Sequence, residues 1–450
     1  MGQKQSSIDV GQYRLDVDGL RLGIYADPPY VNIVKILRAL SEQGYRFKGT
    51  PRVNYGAPIA DTPNLDVGEA IVETHWIARR PFTLLAGIPK ALTILKECTG
   101  FFDEKGVFVN TAQMLDVEAM EDGEIVEFDG DPKNSPAVLI IRGRFRDYAL
   151  LKTPMLGVLA RASRIATNSY LLFRAAKGKP VYFFSARFDP PEVQAADGYA
   201  YHVAVSRFNA DYNAHLPDVV ATRANTEWWG GGVGGTISHE AIACFLGDPA
   251  ELMLRFCETM PLDVMRVALI DFHNDCIGDA RHVMRELFVR YRSNIEAGRG
   301  DDAMRYKLRA VRVDTPRELL DKSLERDGRR EDYGPSVRLV RLLRKGLDEA
   351  WREWELPADW QERGRQWCED VRIMVSGGFT EDKIKLFESE RAPVDQYGVG
   401  SAIVSSCLDH GSTTDFSSAL MRIKVGNDWV DIPKAGRRIN ENARLKSISL

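Results

Sequence analysis

The chain has 450 residues, 44% of them hydrophobic and 28% charged, with a formal net charge of −4. That length supports a sizeable core in two or three domains, and the near balance of charge argues against a bulk nucleic-acid or membrane binder. Six cysteines (Cys98, Cys244, Cys257, Cys276, Cys368 and Cys407) form no CxxC pair and no zinc-spaced cluster with histidine, so reduced thiols in a cytoplasmic protein are expected. No apolar run reaches membrane-spanning length, and the start lacks the apolar segment of a signal peptide. "MGQKQS" satisfies the myristoylation pattern through Gly2 and Ser6. One acyl chain anchors only marginally, and the segment is read as a polar N-terminus.

Residues 1–154 carry short strand-like runs (Ala70–Ala78, Gly123–Phe128, Ala137–Ile141), a helix at Ile88–Cys98 and turn-rich stretches such as "DGDPKNSP" at 129–136. A mixed α+β domain is expected there. From residue 155 the rhythm becomes strand, turn, helix. Apolar runs at 181–189 ("VYFFSARFD"), 264–272 ("VMRVALIDF"), 307–315 ("KLRAVRVDT"), 371–379 ("VRIMVSGGF") and 394–401 ("VDQYGVGS") each end in a polar or glycine-bearing turn. Between them, Val337, Val340, Leu343, Leu347, Trp351 and Trp354 recur at helical spacing over 337–354. This alternation implies parallel strands with helical crossovers, and an α/β barrel is expected over 155–405. The stretches 296–302 and 324–334 read as solvated connections. Residues 406–450 show short strands around Gly426–Asn427 and are expected to return to the first domain.

The polar residues fall at the C-terminal ends of the strands, where such folds place their chemistry. Ser376, Gly377 and Gly378 form one bare-backbone turn before a helix; Gly398, Gly400 and Ser401 form another. Amides at a strand end beside a helix start suit a phosphate, though each turn alone is equally well a tight turn. Asp271 and Asp314 end two strands, and Arg312 shares a face with Asp314 by period-two alternation. Such a pair suits a sugar phosphate or Mg²⁺, or else fills a barrel as an internal salt bridge. In "WWGGGVGGTISHE" (228–240) no strand is expected before the glycines, which weakens a dinucleotide reading. His239, three residues after Thr236, is expected at the start of a helix at about 237–246, where a histidine can accept or orient a phosphoryl group. Phe184 and Arg187 offer an aromatic face and a cation for a flat aromatic acid.

In order, these motifs (the Phe184–Arg187 strand end, Gly-Thr-x-x-His, Asp-Phe, Arg-x-Asp-Thr, Ser-Gly-Gly-Phe, Gly-Val-Gly-Ser) resemble the nicotinate phosphoribosyltransferase family, among the type II phosphoribosyltransferases. The resemblance runs from "YADPPYVNIVKIL" through "TPMLGVLARASRIATN" to "PKAGRR". It implies an incomplete TIM-like α/β barrel, an N-terminal α+β domain that the C-terminal segment rejoins, and a homodimer with shared active sites. It also implies that nicotinate and phosphoribosyl diphosphate give nicotinate mononucleotide and diphosphate, with ATP as co-substrate and Mg²⁺ on the leaving group. By the same resemblance His239 is transiently phosphorylated, Arg312 and Asp314 hold the phosphoribosyl group, and the two glycine turns hold its 5′-phosphate. Phe184 stacks on the pyridine, with Arg187 as its neighbouring anion contact. Asp271 is the candidate carboxylate near the anomeric carbon, and Thr236 a substrate contact within the histidine motif. The family usually carries a ring-stacking tyrosine after the N-terminal aspartate; here Tyr30 stands one place late in "DPPY". Lys152 replaces a common glutamate, and Ser185 a common glycine. Nicotinamide or another pyridine as acceptor, or a non-catalytic phosphoribosyl-binding relative, are the alternative readings.

Overall fold

The computed structural model describes residues 11–54, 65–131, 133–234, 237–406 and 415–450. Gly2, Ser6, Thr236 and Cys407 lie outside the described residues. The first layer is an antiparallel sheet ordered Asp428–Asp431, Phe416–Val425, Ile71–Ala78, Ala137–Arg144, Asp116–Ala119, Lys446–Ile448. The C-terminal segment therefore rejoins the N-terminal domain, as expected, with Trp76 opposite Ser418. The helix at Ile88–Cys98 falls on the expected residues. Together with the sheet it encloses a core that includes Trp76, Leu95, Leu139 and Tyr148. Glu73 is buried in the central strand, yet His75 (2.8 Å) and Arg142 (2.6 Å) outweigh the burial and hold its carboxyl down to about 2. Arg422, from the returning segment, approaches the same carboxylate at 3.4 Å.

The helix Lys152–Ala175 joins the layers. Its early residues Met155 and Leu159 enter the first core, while Ile165, Tyr170 and Phe173 enter the second. The 154/155 division thus falls inside one continuous helix. The second layer is a parallel sheet ordered Gly232–Val233, Val219–Val220, Val181–Phe183, Gln396–Val399, Arg372–Val375, Ala310–Val313, Val267–Leu269. Its two outer strands, Gly232–Val233 and Val267–Leu269, do not pair with each other. The barrel is open along that seam, which is the incomplete TIM-like architecture expected. Three of its seven strands, Val181–Phe183, Val267–Leu269 and Gln396–Val399, are buried along their whole length, as a sheet covered on both faces requires.

Two expectations need correction. The glycine run does contain a strand, Gly232–Val233, paired with Val219–Val220 ahead of it. Pairing at a parallel edge needs only backbone, so residues without side chains leave no alternating pattern to read. The charged stretch 324–334 is not simply solvated. Leu324 and Asp332 are buried, and Asp332 accepts from the backbone N–H of Arg329 (3.0 Å) and from Arg338 Nη1 (3.1 Å). In 296–302, a short helix Gly300–Met304 begins. The apolar stripe forms the helix Val337–Glu349, whose first turn Ser336 caps by accepting from Leu339 N. Trp354 lies past its end and stacks on Phe288 (4.5 Å, 27°). Among the described residues, no helix is long and apolar enough to cross a membrane.

Candidate active site

Polar side chains from both edges of the open barrel meet across its seam. Asp271 follows the Val267–Leu269 strand and its side chain is fully buried. Among the described residues, neither of its oxygens has a hydrogen-bond partner of good geometry. His239 opens the helix His239–Cys244, capped by Ser238, and brings Nε2 to 3.3 Å from Asp271 Oδ1. On the next strand Arg312 sends Nη2 to Asp314 Oδ2 (3.4 Å) and to the carbonyl of Ile237 (3.4 Å), just ahead of His239. Arg312 Nε is buried without a partner. Asp314 Oδ1 accepts from Ser376 Oγ at 2.7 Å, which ties in the following strand.

Burial lifts the Asp271 carboxyl above its usual range; the His239 ring opposes that lift and Asp314 adds to it. Burial also weakens the hold of Arg312 on its proton, while Asp314 and Asp271 restore it and Arg187 works against it. A guanidinium stays charged regardless, so the cluster holds a cation beside two carboxylates in a largely dry site. The unpartnered Asp271 oxygens and Arg312 Nε are donors and acceptors awaiting something polar.

Gly377 and Gly378 both adopt positive φ (85° and 68°), and a Cβ on Gly377 would lie 3.0 Å from the carbonyl oxygen of Asp314. The helix Glu381–Ser389 follows at once, with Thr380 accepting from Lys383 N. Backbone amides and a helix start therefore face the same rim. The second expected turn is divided: Gly398 lies inside the strand Gln396–Val399, paired with Tyr182, and only Gly400 and Ser401 follow the strand, yet both glycines have a steric reason. A Cβ on Gly398 would sit 2.5 Å from the Phe184 ring, and one on Gly400 would sit 2.4 Å from the Phe188 ring. The Phe184 N–H donates to Val399 O (2.8 Å) and Ser185 Oγ to Gly400 O (2.9 Å), pinning the aromatic turn on that rim. Ser401 begins the short helix Ser401–Val404 beyond it. Arg187 is exposed, and its charge reaches Arg312 and Glu240.

The structure thus gathers His239, Asp271, Arg312, Asp314 and Ser376, with Phe184 seated over Gly398 on the adjoining strands. Tyr30 is placed elsewhere: it lies in the helix Pro28–Glu42 with Lys152 Nζ 5.1 Å from its ring centre. Sequence reasoning passed over Phe188, 48% exposed against Gly400, although it stands one residue after Arg187 in the quoted run. It also passed over the Ile237 carbonyl, for which sequence carries no signal.

No family model matches the sequence. The structure resembles that of a nicotinate-nucleotide pyrophosphorylase from Pyrococcus furiosus, with a TM-score of 0.59 over 96% of this chain and 85% of that one, at 22% identity. The chain shares the fold of that structure, an incomplete α/β barrel beside a separate sheet domain. A human nicotinic acid phosphoribosyltransferase aligns more loosely, with a TM-score of 0.49 and 15% identity over 79% of this chain and 71% of that one. The fold assignment rests on the Pyrococcus structure. Within this fold, the His239–Asp271 and Arg312–Asp314 pairs stand at the C-terminal rim of the parallel strands.

Proposed function

We propose that this chain is a phosphoribosyltransferase of NAD biosynthesis that joins nicotinate to phosphoribosyl diphosphate, with ATP consumed alongside. The observation that carries this reading is the seam cluster, in which a buried carboxylate, a buried guanidinium and a histidine meet beside glycine-bearing strand ends. The ring nitrogen of nicotinate attacks the anomeric carbon, the bond from that carbon to the diphosphate oxygen breaks, and diphosphate leaves with the electron pair. No proton moves in this step, so no strong base is needed. The buried Asp271 carboxylate, which has His239 Nε2 at 3.3 Å from Oδ1 as its contact, is suited to the positive charge that develops on the ribose ring. Arg312 and the Ser376–Gly378 amides hold the sugar's anions. Phe184 supplies a stacking face for the pyridine, and Arg187 a cation for its carboxylate.

We assign a magnesium ion to Asp271 and Asp314, whose charges act on each other, since Mg²⁺ is usually held by one or two carboxylates plus substrate phosphates. Bound there, it would neutralise charge on the leaving diphosphate. His239 is the residue we assign to ATP. Asp271 on Nε2 leaves the Nδ1 lone pair to take the terminal phosphoryl group; an N–P bond forms, the P–O bond to ADP breaks, and water later removes the group as phosphate. The exposed face of Phe188 and the distant Tyr30 are consistent with a homodimer in which a partner completes the acceptor site. The deciding assay is turnover of nicotinate against nicotinamide with phosphoribosyl diphosphate and Mg²⁺. Nicotinate is expected to be preferred; exclusive use of the amide, or no product from any pyridine, overturns the proposal.

A further inference from the structure

Where the two layers join, Tyr13, Lys90, Val158, Arg161, Tyr199 and Trp228 help to line a cavity of about 280 Å³. No member of the His239, Asp271, Arg312 and Asp314 cluster lines it. The joint is clasped along one side. Trp228 Nε1 donates to Gln12 O (2.8 Å), Arg14 Nη2 donates to both oxygens of Glu227 (2.9 Å), and Tyr13 meets Trp228 edge-on at 4.9 Å. Tyr199 flanks the same indole at 6.1 Å and 54°. Three aromatic rings thus form a stiff apolar wall.

The cations of the cavity differ in kind. Arg161 is engaged, donating to both carboxylate oxygens of Asp197 (2.8 Å each) and to Asp189 (2.7 Å). Lys90 is not: its Nζ lies 5.2 Å from the centre of the Trp228 ring, and among the described residues it forms no ion pair. Burial makes its ammonium costly, and the field of Asp197, whose oxygens Arg161 already occupies, only partly offsets that cost. Glu192, at the exposed edge of the cavity, is the one acid of the lining. A half-buried ammonium beside an aromatic wall is stabilised by an anion that brings its own flat apolar body. A cavity of roughly 150 Å³ takes a single benzene ring, so this one has room for about two fused rings.

We propose that the cavity binds a small planar aromatic acid, with its rings against the Tyr13–Trp228–Tyr199 wall and its carboxylate on Lys90 Nζ. The site is separate from the barrel mouth and does not depend on the reaction assigned there.

Calorimetric titration of the full chain with 1-naphthoate and with neutral 1-naphthamide tests this. The acid is expected to bind roughly tenfold or more tightly than the amide, the margin of a charge-assisted contact. Lys90→Met should erase that difference while leaving amide binding in place. Val158→Trp, which fills the cavity and leaves Lys90 intact, should abolish binding of both. Arg187→Ala, which removes the cation assigned to an aromatic acid at the barrel mouth and does not line this cavity, should bind naphthoate as the parent chain does. No binding of naphthoate by the folded parent, an undiminished preference in Lys90→Met, or retained binding in a folded Val158→Trp would overturn the proposal. Loss of binding in Arg187→Ala would move the ligand to the barrel mouth and overturn it equally.

Discussion

Replacing Asp271 by asparagine is expected to stabilise the protein while it impairs catalysis. The side chain is fully buried, neither oxygen has a hydrogen bond of good geometry among the described residues, and the His239 ring at 3.3 Å is 44% exposed. An amide buried there is left as short of partners as the carboxylate. What it lacks is the charge, whose burial costs no less than a desolvated polar group's about 1–3 kcal/mol, while contact with the half-exposed His239 ring returns only about 0–1 kcal/mol. Asp271→Asn should therefore gain about 1 kcal/mol at neutral pH. The gain has a pH signature. Burial, opposed by His239 and aided by Asp314, raises the Asp271 carboxyl above its usual range. Between the ordinary value and the raised one, the folded chain holds a proton that the unfolded chain has lost. Wild-type stability contributed by this group thus falls as pH rises through that window, and asparagine has no proton to lose. The variant's advantage should be absent below the ordinary carboxylate range and complete above the raised value. Urea melts of both chains across a pH series, followed by circular dichroism, measure it. A variant that is less stable at neutral pH, or one offset by a constant amount at every pH, would refute the reasoning.

Four further outcomes are expected. His239→Ala should lose stimulation by ATP yet keep slow ATP-independent synthesis, read by product formation with and without ATP; unchanged coupling would mean the phosphoryl acceptor lies elsewhere. Arg312→Ala should raise the KM for phosphoribosyl diphosphate by about tenfold or more, as loss of a charge-assisted contact requires, and leave that of the pyridine near its starting value; equal effects on both would remove it from the anion clamp. Gly398→Ala places a methyl 2.5 Å from the Phe184 ring and should weaken acceptor binding more than sugar-phosphate binding, compared by the two KM values. Gly377→Ala forces a side chain into a φ of 85° and within 3.0 Å of the Asp314 carbonyl oxygen, and should cost about 1–2 kcal/mol in the same urea melts.

Much was legible without a structure because it is local. The helix at Ile88–Cys98, the barrel strand runs ending at Asp271, Asp314, Gly377 and Gly398, and the shared face of Arg312 and Asp314 all follow from periodicity and turn chemistry within a few residues. The return of the C-terminal strands was legible as a change of pattern, though not the partner strand Ile71–Ala78 they chose. Other features belong to the tertiary structure. The Gly232–Val233 edge strand has no side-chain pattern to announce it. His239 meets Asp271 only because the barrel stays open between the two strands that precede them, so a gap in the sheet becomes the place where their polar ends converge. Gly398 and Gly400 read as bare amides in the sequence, but whether a missing Cβ serves an anion or a neighbouring ring depends on what packs above it, and Phe184 and Phe188 do. Residue type and spacing fix which groups stand at the strand ends; only the closure and gap of the sheet decide which of them touch.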